Sequence, residues 1–390
     1  MKKLNKNILL FVLVMLFLLS GLWTYDLAYT LSFSAKEFAR EILAGNANAL
    51  QNLTVSVDST SELLKHHDAL LDLNSVKENL LGTRVVDKGE TVVVKTDADN
   101  LVGYLETRIY TEEENQARAS AIARIKEIAN ENEAGFLYCA VAKEVAYETL
   151  PPNVTQYNCL NQENFLRELA KLDVPVLDTA EVFDAVGMDG EDIFFKTDHH
   201  WKPASGFRVS GAICQELQRR YGFQYDPAHI DLNSYNVTTL ENWFLGSYGK
   251  KVGTYFADWT VDDFDVIIPS FPTEFIEEVS TSDRIRTGTF EDTMLYADLL
   301  EKDYYHSGTY SAYSGGDYRL QKITNCTNPD GKKIMVIRQS FGCVVTPFLA
   351  IHASELHVVD DREGGYPEGE IIDIEAYIQS VKPDYVVVIK

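Results

Sequence analysis

The chain has 390 residues, of which 45% are hydrophobic and 24% charged. That is an ordinary globular balance, which excludes a disordered, collagenous or coiled-coil protein and allows one large α/β domain with insertions or two to three smaller ones. Lys and Arg number 35 against 59 Asp and Glu, a formal net charge of −24, so the surface repels phosphate backbones and nucleic acid is not an expected partner.

The N-terminus carries Lys2, Lys3 and Lys6 ahead of the apolar run ILLFVLVMLFLLSGLW (8–23). A basic start followed by an apolar stretch marks an export signal. No A-x-A cleavage site and no lipobox cysteine follow it. Residues 1–34 are therefore expected to be a signal peptide or an uncleaved signal anchor, and either places the bulk of the chain outside the cytoplasm. Residues 35–100 read as a lead-in. SAKEFAREILAG ends at a glycine, STSELLKHHDALLDL opens on capping residues, and TVVVKTD (91–97) is strand-like. TEEENQARASAIARIKEIANENE (111–133) is an amphipathic helix with a Thr cap and early acids. GFLYCAVA (135–142) is a continuous apolar run of the buried-strand type, and VPVLDTA (174–180) and DIFFKTD (192–198) read as further strands. A helix with Pro in its first turn is expected over 203–220. Residues 221–330 lack clear periodicity and read as an insertion of long loops and short strands.

The last sixty residues alternate strand and helix: KIMVIRQ (333–339), a mostly helical 341–354, ELHVVDD (355–361), EIIDIEAYIQSVK (370–382) and DYVVVIK (384–390). This pattern predicts right-handed crossovers onto a doubly wound parallel sheet, whose ligands sit beyond the carboxyl ends of the strands. Ser340 lies at such an end, and Asp198 and His200 lie at the end of the expected strand over 192–198. Side chains two apart on an extended chain face the same side. A carboxylate at 198 can then fix the tautomer of His200 while the other ring nitrogen faces a serine hydroxyl. A histidine satisfied within a core is the competing account of the D-x-H spacing.

KTDHHWKPASGF (196–207) resembles the signature of the bacterial DHHW family, extracytoplasmic proteins similar to the SGNH-hydrolase-like O-acetyltransferases of the alginate O-acetylation type. FLYCAVAKEVAYETLP (136–151), FLGSYGKKVG (244–253), YYHSGTYSAYSGGDYRLQKITN (304–325), MVIRQSFGCVVTPFLA (335–350) and HVVDDRE (357–363) resemble further blocks in the family's order, over most of residues 105–390. The resemblance implies an SGNH-hydrolase-like domain over 101–390, with the insertion around 221–330 inside it. It also implies a catalytic order of Asp, His, then Ser: Ser340 as nucleophile, His200 as base, Asp198 as orienting acid. His199 is then structural, and Trp201 packs beneath the histidine or lines the cleft. One residue departs from the pattern: the position before the serine is usually acidic and here is Gln339.

Candidates for the oxyanion hole or substrate contacts are the Ser340 amide, Gly246, Ser247 and Arg362. Arg362 has an ion pair with Asp360 or Asp361 as its alternative, and Ser247 a turn between glycines. Tyr304, Tyr305, Tyr310, Tyr313 and Tyr318 can stack sugar rings or carry aromatics into a core. Cys139, Cys159, Cys214, Cys326 and Cys343 show no zinc spacing, and buried free thiols are the expectation, with a Cys139–Cys159 bridge as an alternative. The expected function is an extracytoplasmic serine O-acyltransferase or esterase acting on a cell-surface or secreted polysaccharide. It needs no cofactor and no metal, and the resemblance implies a membrane-bound acyltransferase as acyl donor. Two other readings stand beside it. One is an anchored, non-catalytic glycan-binding or scaffold protein. The other is a metal-dependent phosphoesterase using the D-H-H string with Asp97 and Asp99 upstream.

Overall fold

The computed structural model describes residues 67–89, 91–257, 261–280, 284–362 and 372–390. The expected export segment (1–34), the helix SAKEFAREILAG and the start of the helix over 59–73 lie outside them. No helix among the described residues is long and apolar enough to cross a membrane. The chain divides into two units, residues 1–78 and 79–390. Of the first, the described part belongs to the helix His67–Leu80, which runs on into the second.

The second unit opens with β1 (Val85–Asp87), β2 (Val92–Lys95) and β3 (Leu101–Val102), a small antiparallel sheet in that order. Helix α1 (Glu112–Glu131) starts at a capping box, where the Thr111 hydroxyl accepts the Glu114 N–H and the Glu114 side chain accepts the Thr111 N–H. Then follow β4 (Gly135–Ala140), α2 (Asn158–Lys171), β5 (Val176–Asp178) and α3 (Pro203–Tyr221). Helix α3 has Pro at its first position and ends at the left-handed Gly222. An antiparallel ribbon of β6 (Tyr235–Phe244) and β7 (Asp262–Pro269) flanks the short helix α4 (Ser247–Val252). The remaining elements are β8 (Phe275–Val279), β9 (Arg284–Gly288), β10 (Leu320–Asn325), β11 (Lys332–Arg338), β12 (Ala353–Val359), α5 (Ile374–Val381) and β13 (Tyr385–Ile389).

Eight strands form one sheet in the order β5-β4-β13-β11-β12-β10-β8-β9. The expectation of a wholly parallel sheet is corrected: β5 through β12 pair in parallel, whereas β10, β8 and β9 extend the sheet antiparallel. The antiparallel strands β8, β9 and β10 come from the stretch read as long loops and short strands. The short connection between β8 and β9 makes a hairpin, while each parallel pair needs a crossover. The two kinds also differ in burial. β11 and β13 are apolar on both faces, with Met335, Val336, Ile337 and Val386 to Ile389 fully buried. β8 and β10 alternate buried and partly exposed residues.

Alternation along the parallel strands feeds two cores. Leu137, Cys139, Ile334, Val336, Val387 and Ile389 face the cluster that holds α3. Phe136, Tyr138, Met335, Ile337, Val386 and Val388 face the cluster built with α1, α2 and α5. All five cysteines are free thiols, so Cys139 and Cys159 are not bridged.

Candidate active site

Strand β11 ends at Arg338. After Gln339 the chain turns into a 3₁₀ segment, Ser340–Val344, which replaces the first half of the expected helix over 341–354; a short helix, Thr346–Ala350, follows. Ser340 thus sits beyond the carboxyl edge of the parallel strands, partly exposed. Helix α3 comes close enough to fix this turn. A Cβ at Gly206 would lie 2.3 Å from the Val344 carbonyl oxygen, so only glycine fits the approach.

The segment DIFFKTD is not a strand. Gly190–Ile193 is one helical turn, and Phe194 pairs with Trp201 in an isolated antiparallel bridge that closes a tight loop. The Phe195 N–H donates to the His200 carbonyl at 3.2 Å, and the Lys202 N–H to that of Ile193 at 2.8 Å. Its base is the buried carboxylate of Asp262. That group accepts the Lys196 N–H (2.6 Å), the Thr197 N–H (2.9 Å) and the Thr197 hydroxyl (2.5 Å). Burial pushes the Asp262 carboxyl up to about 6 against the pull of those donors. Thr197 passes the order on: its hydroxyl accepts the Gly246 N–H at 2.8 Å, and its carbonyl accepts the amides of Tyr248 and Gly249 at 3.0 Å each.

Asp198, His200 and Ser340 meet in one line. Asp198 Oδ1 lies 2.5 Å from His200 Nδ1 and accepts the His200 backbone N–H at 2.9 Å. Asp198 Oδ2 accepts the Ser247 N–H at 2.5 Å. His200 Nε2 lies 2.7 Å from Ser340 Oγ. Asp198 is 3% exposed and His200 9%. Burial alone would raise the Asp198 carboxyl. The His200 charge and hydrogen bond, with His199 and the Ser247 amide, outweigh burial and hold it well below the usual range. Asp198 therefore stays an anion and holds the Nδ1 proton of His200, leaving Nε2 free to accept from Ser340.

Aromatic rings fix the imidazole. Tyr310 stacks on His200 and donates its hydroxyl to the Ser340 carbonyl at 3.1 Å. Phe341 packs at 5.1 Å between ring centroids. His199 lies 3.8 Å from the His200 ring, and its Nδ1 is 3.1 Å from the Ser247 hydroxyl. Burial pushes the His199 imidazole down to about 4, with Asp198 opposing, so it adds no cation beside His200 at neutral pH.

The other expected residues fall into supporting positions. Trp201 is fully buried, edge-on to Phe183 and Phe341, and underpins the loop without lining a cleft. Gly246 leaves no room for a side chain, since a Cβ there would lie 2.2 Å from Asp198 Cβ. It brings α4 down so that the Ser247 amide reaches Asp198, which spends that amide on the carboxylate. The Ser247 hydroxyl faces His199. Arg362 grips Asp360 with Nε at 2.9 Å and Asp317 with Nη2 at 2.6 Å, so its guanidinium is engaged in ion pairs. The buried Arg338 reaches the other oxygen of the same Asp317 at 2.5 Å. Tyr313 is buried, donating to the Asp265 carbonyl (3.1 Å) and accepting the Ile267 N–H (2.7 Å). Sugar stacking is therefore ruled out for Tyr310 and Tyr313 as they stand, because their faces are taken by the core.

Sequence reasoning missed Thr197, Asp262 and Phe341, and also Glu144. The Glu144 carboxyl group accepts, at Oε1, the Tyr248 hydroxyl at 2.7 Å and the Gly103 N–H at 3.2 Å. Among the described residues, Asp198, His199 and His200 form one group with the spacing of metal ligands, their candidate atoms within 4.8 Å of one another. The donors do not suit a cation as arranged: both Asp198 oxygens hold hydrogen bonds, and His200 Nε2 faces Ser340. Asp97 is paired with Arg84 at 2.7 Å, and Asp99 lies 4.0 Å from Lys95.

Two family models match the chain: the SGNH hydrolase-like domain of acetyltransferase AlgX over residues 105–240, and DHHW protein over residues 180–359. No curated protein matches it. Among solved structures, a DHHW family protein from Eubacterium siraeum is 20% identical, covering 78% of this chain and 91% of its own, with a TM-score of 0.53. PatB1 from Bacillus cereus, solved with a sulfonyl adduct, is 19% identical, covering 78% and 95%, with a TM-score of 0.62. At such identities the likeness establishes a shared fold.

Proposed function

We propose, from the matches to the DHHW protein model over residues 180–359 and to the SGNH hydrolase-like acetyltransferase model over residues 105–240, that the chain is a serine O-acyltransferase or esterase that carries an acyl group, acetyl in the simplest case, on Ser340. The observation that carries the reading is the unbroken line Asp198–His200–Ser340. Ser340 Oγ attacks the carbonyl carbon of the acyl donor while its proton passes to His200 Nε2. The charge that develops on the carbonyl oxygen meets the Ser340 N–H, which at the start of a 3₁₀ turn has no acceptor within the turn. Collapse expels the donor's oxygen, which takes the proton from His200, and leaves the acyl ester on Ser340. A sugar hydroxyl then gives its proton to His200 and attacks that ester, releasing the acylated sugar and restoring the serine. Water in place of the sugar gives hydrolysis.

The acceptor we propose is a cell-surface or secreted polysaccharide, with a membrane-bound acyltransferase as donor partner. The basic, apolar N-terminus supports work outside the cytoplasm, held at the membrane by that segment or released from it. The test incubates the full-length chain with a chromogenic acetyl ester and follows its intact mass. A gain of one acetyl group, absent from Ser340→Ala, is the expected result, and release that speeds on adding glycan marks transfer. A folded chain with neither adduct nor turnover overturns the reading in favour of a non-catalytic glycan-binding protein.

A further inference from the structure

A second feature lies at the same edge of the sheet. Between α1 and α2, over the carboxyl ends of β4, β11 and β13, is a cavity of 360 Å³. Its wall includes Gln339, the neighbour of Ser340 in sequence, together with Arg118, Lys143, Gln162, Tyr138 and Lys390. The reaction proposed at Ser340 uses none of these side chains.

The charged side chains of the wall are three cations, Arg118, Lys143 and Lys390, and one carboxylate, Glu106. Lys390 is neutralised by Asp361 at 2.5 Å. Arg118 and Lys143 are not: among the described residues neither forms an ion pair. The Arg118 guanidinium is laid over the rings of Phe165 (4.7 Å) and Tyr110 (5.2 Å), which orient it without cancelling its charge. Lys143 is largely buried, and burial lowers its pKa from the ordinary lysine value, with the charge of Glu106 opposing. Glu106 is the carboxylate side chain in the wall, and it accepts the Asn161 amide at 2.6 Å. Gln339 adds an amide that can donate and brings no negative charge. An ammonium withdrawn from water with no carboxylate at ion-pair distance costs free energy that Glu106, farther off, offsets only in part, and an arriving anion offsets more of it.

We propose that this cavity binds the oxyanion, carboxylate or phosphate, of one small polar ligand, with Arg118 and Lys143 as its counter-charges. The volume suits a monosaccharide-sized molecule, at the low end of the range of about 300–1,000 Å³ for such sites. The site does not depend on acyl transfer and should be intact in Ser340→Ala.

The test is calorimetric titration of the full-length chain, and of its Ser340→Ala variant, with glucuronate, glucose 6-phosphate and glucose. The expected result is salt-sensitive binding of an anionic sugar with no heat from glucose, the stronger of the two anions identifying the oxyanion. Arg118→Ala should weaken that binding about tenfold or more, the scale of one charged hydrogen bond lost, and Lys143→Gln should do likewise. Arg118 lies on the exposed face of α1, so its variant reports even where Lys143→Gln fails to fold. Binding of glucose equal to that of the anions, affinity unchanged in Arg118→Ala, or no binding of either anion overturns the proposal.

Discussion

The ring of Tyr310 lies on the imidazole of His200 with centroids 3.9 Å apart and planes 17° from parallel, while its hydroxyl holds the Ser340 carbonyl. One side chain therefore spaces the base from the nucleophile. Tyr310→Phe keeps the ring and should cost severalfold in esterase turnover. Tyr310→Ala frees the imidazole and should cost about a hundredfold, the scale of a small misplacement of reacting groups. Comparing kcat of the two variants on a chromogenic acetyl ester checks this.

Asp198→Asn removes the charge that fixes the His200 tautomer but leaves a group of the same shape. Turnover should fall by about 10⁴, as for an orienting acid in a Ser-His-Asp arrangement. The fold should persist, as read by an unchanged circular dichroism spectrum. A variant retaining a tenth of the activity would show that Asp198 does not orient the base.

Gly206→Ala tests the seat of the nucleophile without touching it. The added methyl meets the Val344 backbone oxygen, so α3 or the turn after Ser340 must shift. We expect destabilisation of about 1–3 kcal/mol and a fall in kcat beyond what the lost folded fraction explains. Chemical denaturation run beside the kinetics separates the two.

Glu144 gives a pH signature. Burial pushes its carboxyl up to about 8 from an ordinary 4.5. Between those values the folded chain keeps a proton that the unfolded chain releases. The stabilisation from this group is full below the unfolded value and is lost as pH rises towards 8. Glu144→Gln keeps an oxygen for the Tyr248 and Gly103 donors and has no proton to lose. The Tm of the variant relative to the parent should therefore climb from pH 5 to pH 8. A constant difference across that range would contradict the assignment.

Arg338 is fully buried between Asp317 and the Gly316 carbonyl, which accepts from Nη2 at 2.9 Å. Arg338→Met leaves Asp317 with Arg362 alone. Asp317 is 28% exposed and keeps Arg362, so the loss is that of the charged hydrogen bond, about 1.5–3 kcal/mol, and a urea midpoint lowered accordingly is the expected outcome.

Much of this was legible in the sequence where one physical signal dominates. β13 and the centre of β11, Ile334 to Ile337, are apolar without interruption because both faces are buried, and such runs read as strands. DIFFKTD misleads for a related reason. Phe194 packs on Tyr147 and Phe195 on Phe244 and Phe264 in the core, although the segment's strand-like pairing is limited to the bridge to Trp201 and one bond from the Leu101 N–H to the Lys196 carbonyl. Asp198 and His200 are neighbours, as their spacing suggested, but through a carboxylate that caps a turn and not through strand alternation. Short strands are expected within 221–330, but β8 to β10 cannot be placed from sequence because a half-exposed strand has a weak apolar signal. Thr197 and Asp262 were invisible: their bond joins positions 65 residues apart, and nothing local to either marks it.

The strand order has a consequence for how the molecule is made. β13 sits between β4 and β11, yet it follows both of them, and every other strand, in the sequence. Until it is synthesised, two rows of unpaired backbone groups stay open at the middle of the future sheet, and the segment bearing Ser340 has only one parallel neighbour. Pairing across so long a stretch of chain is slow, and open strand edges invite association with other chains. Both part-sheets are complete once β12 is made, and they then await one short apolar segment, Tyr385–Ile389.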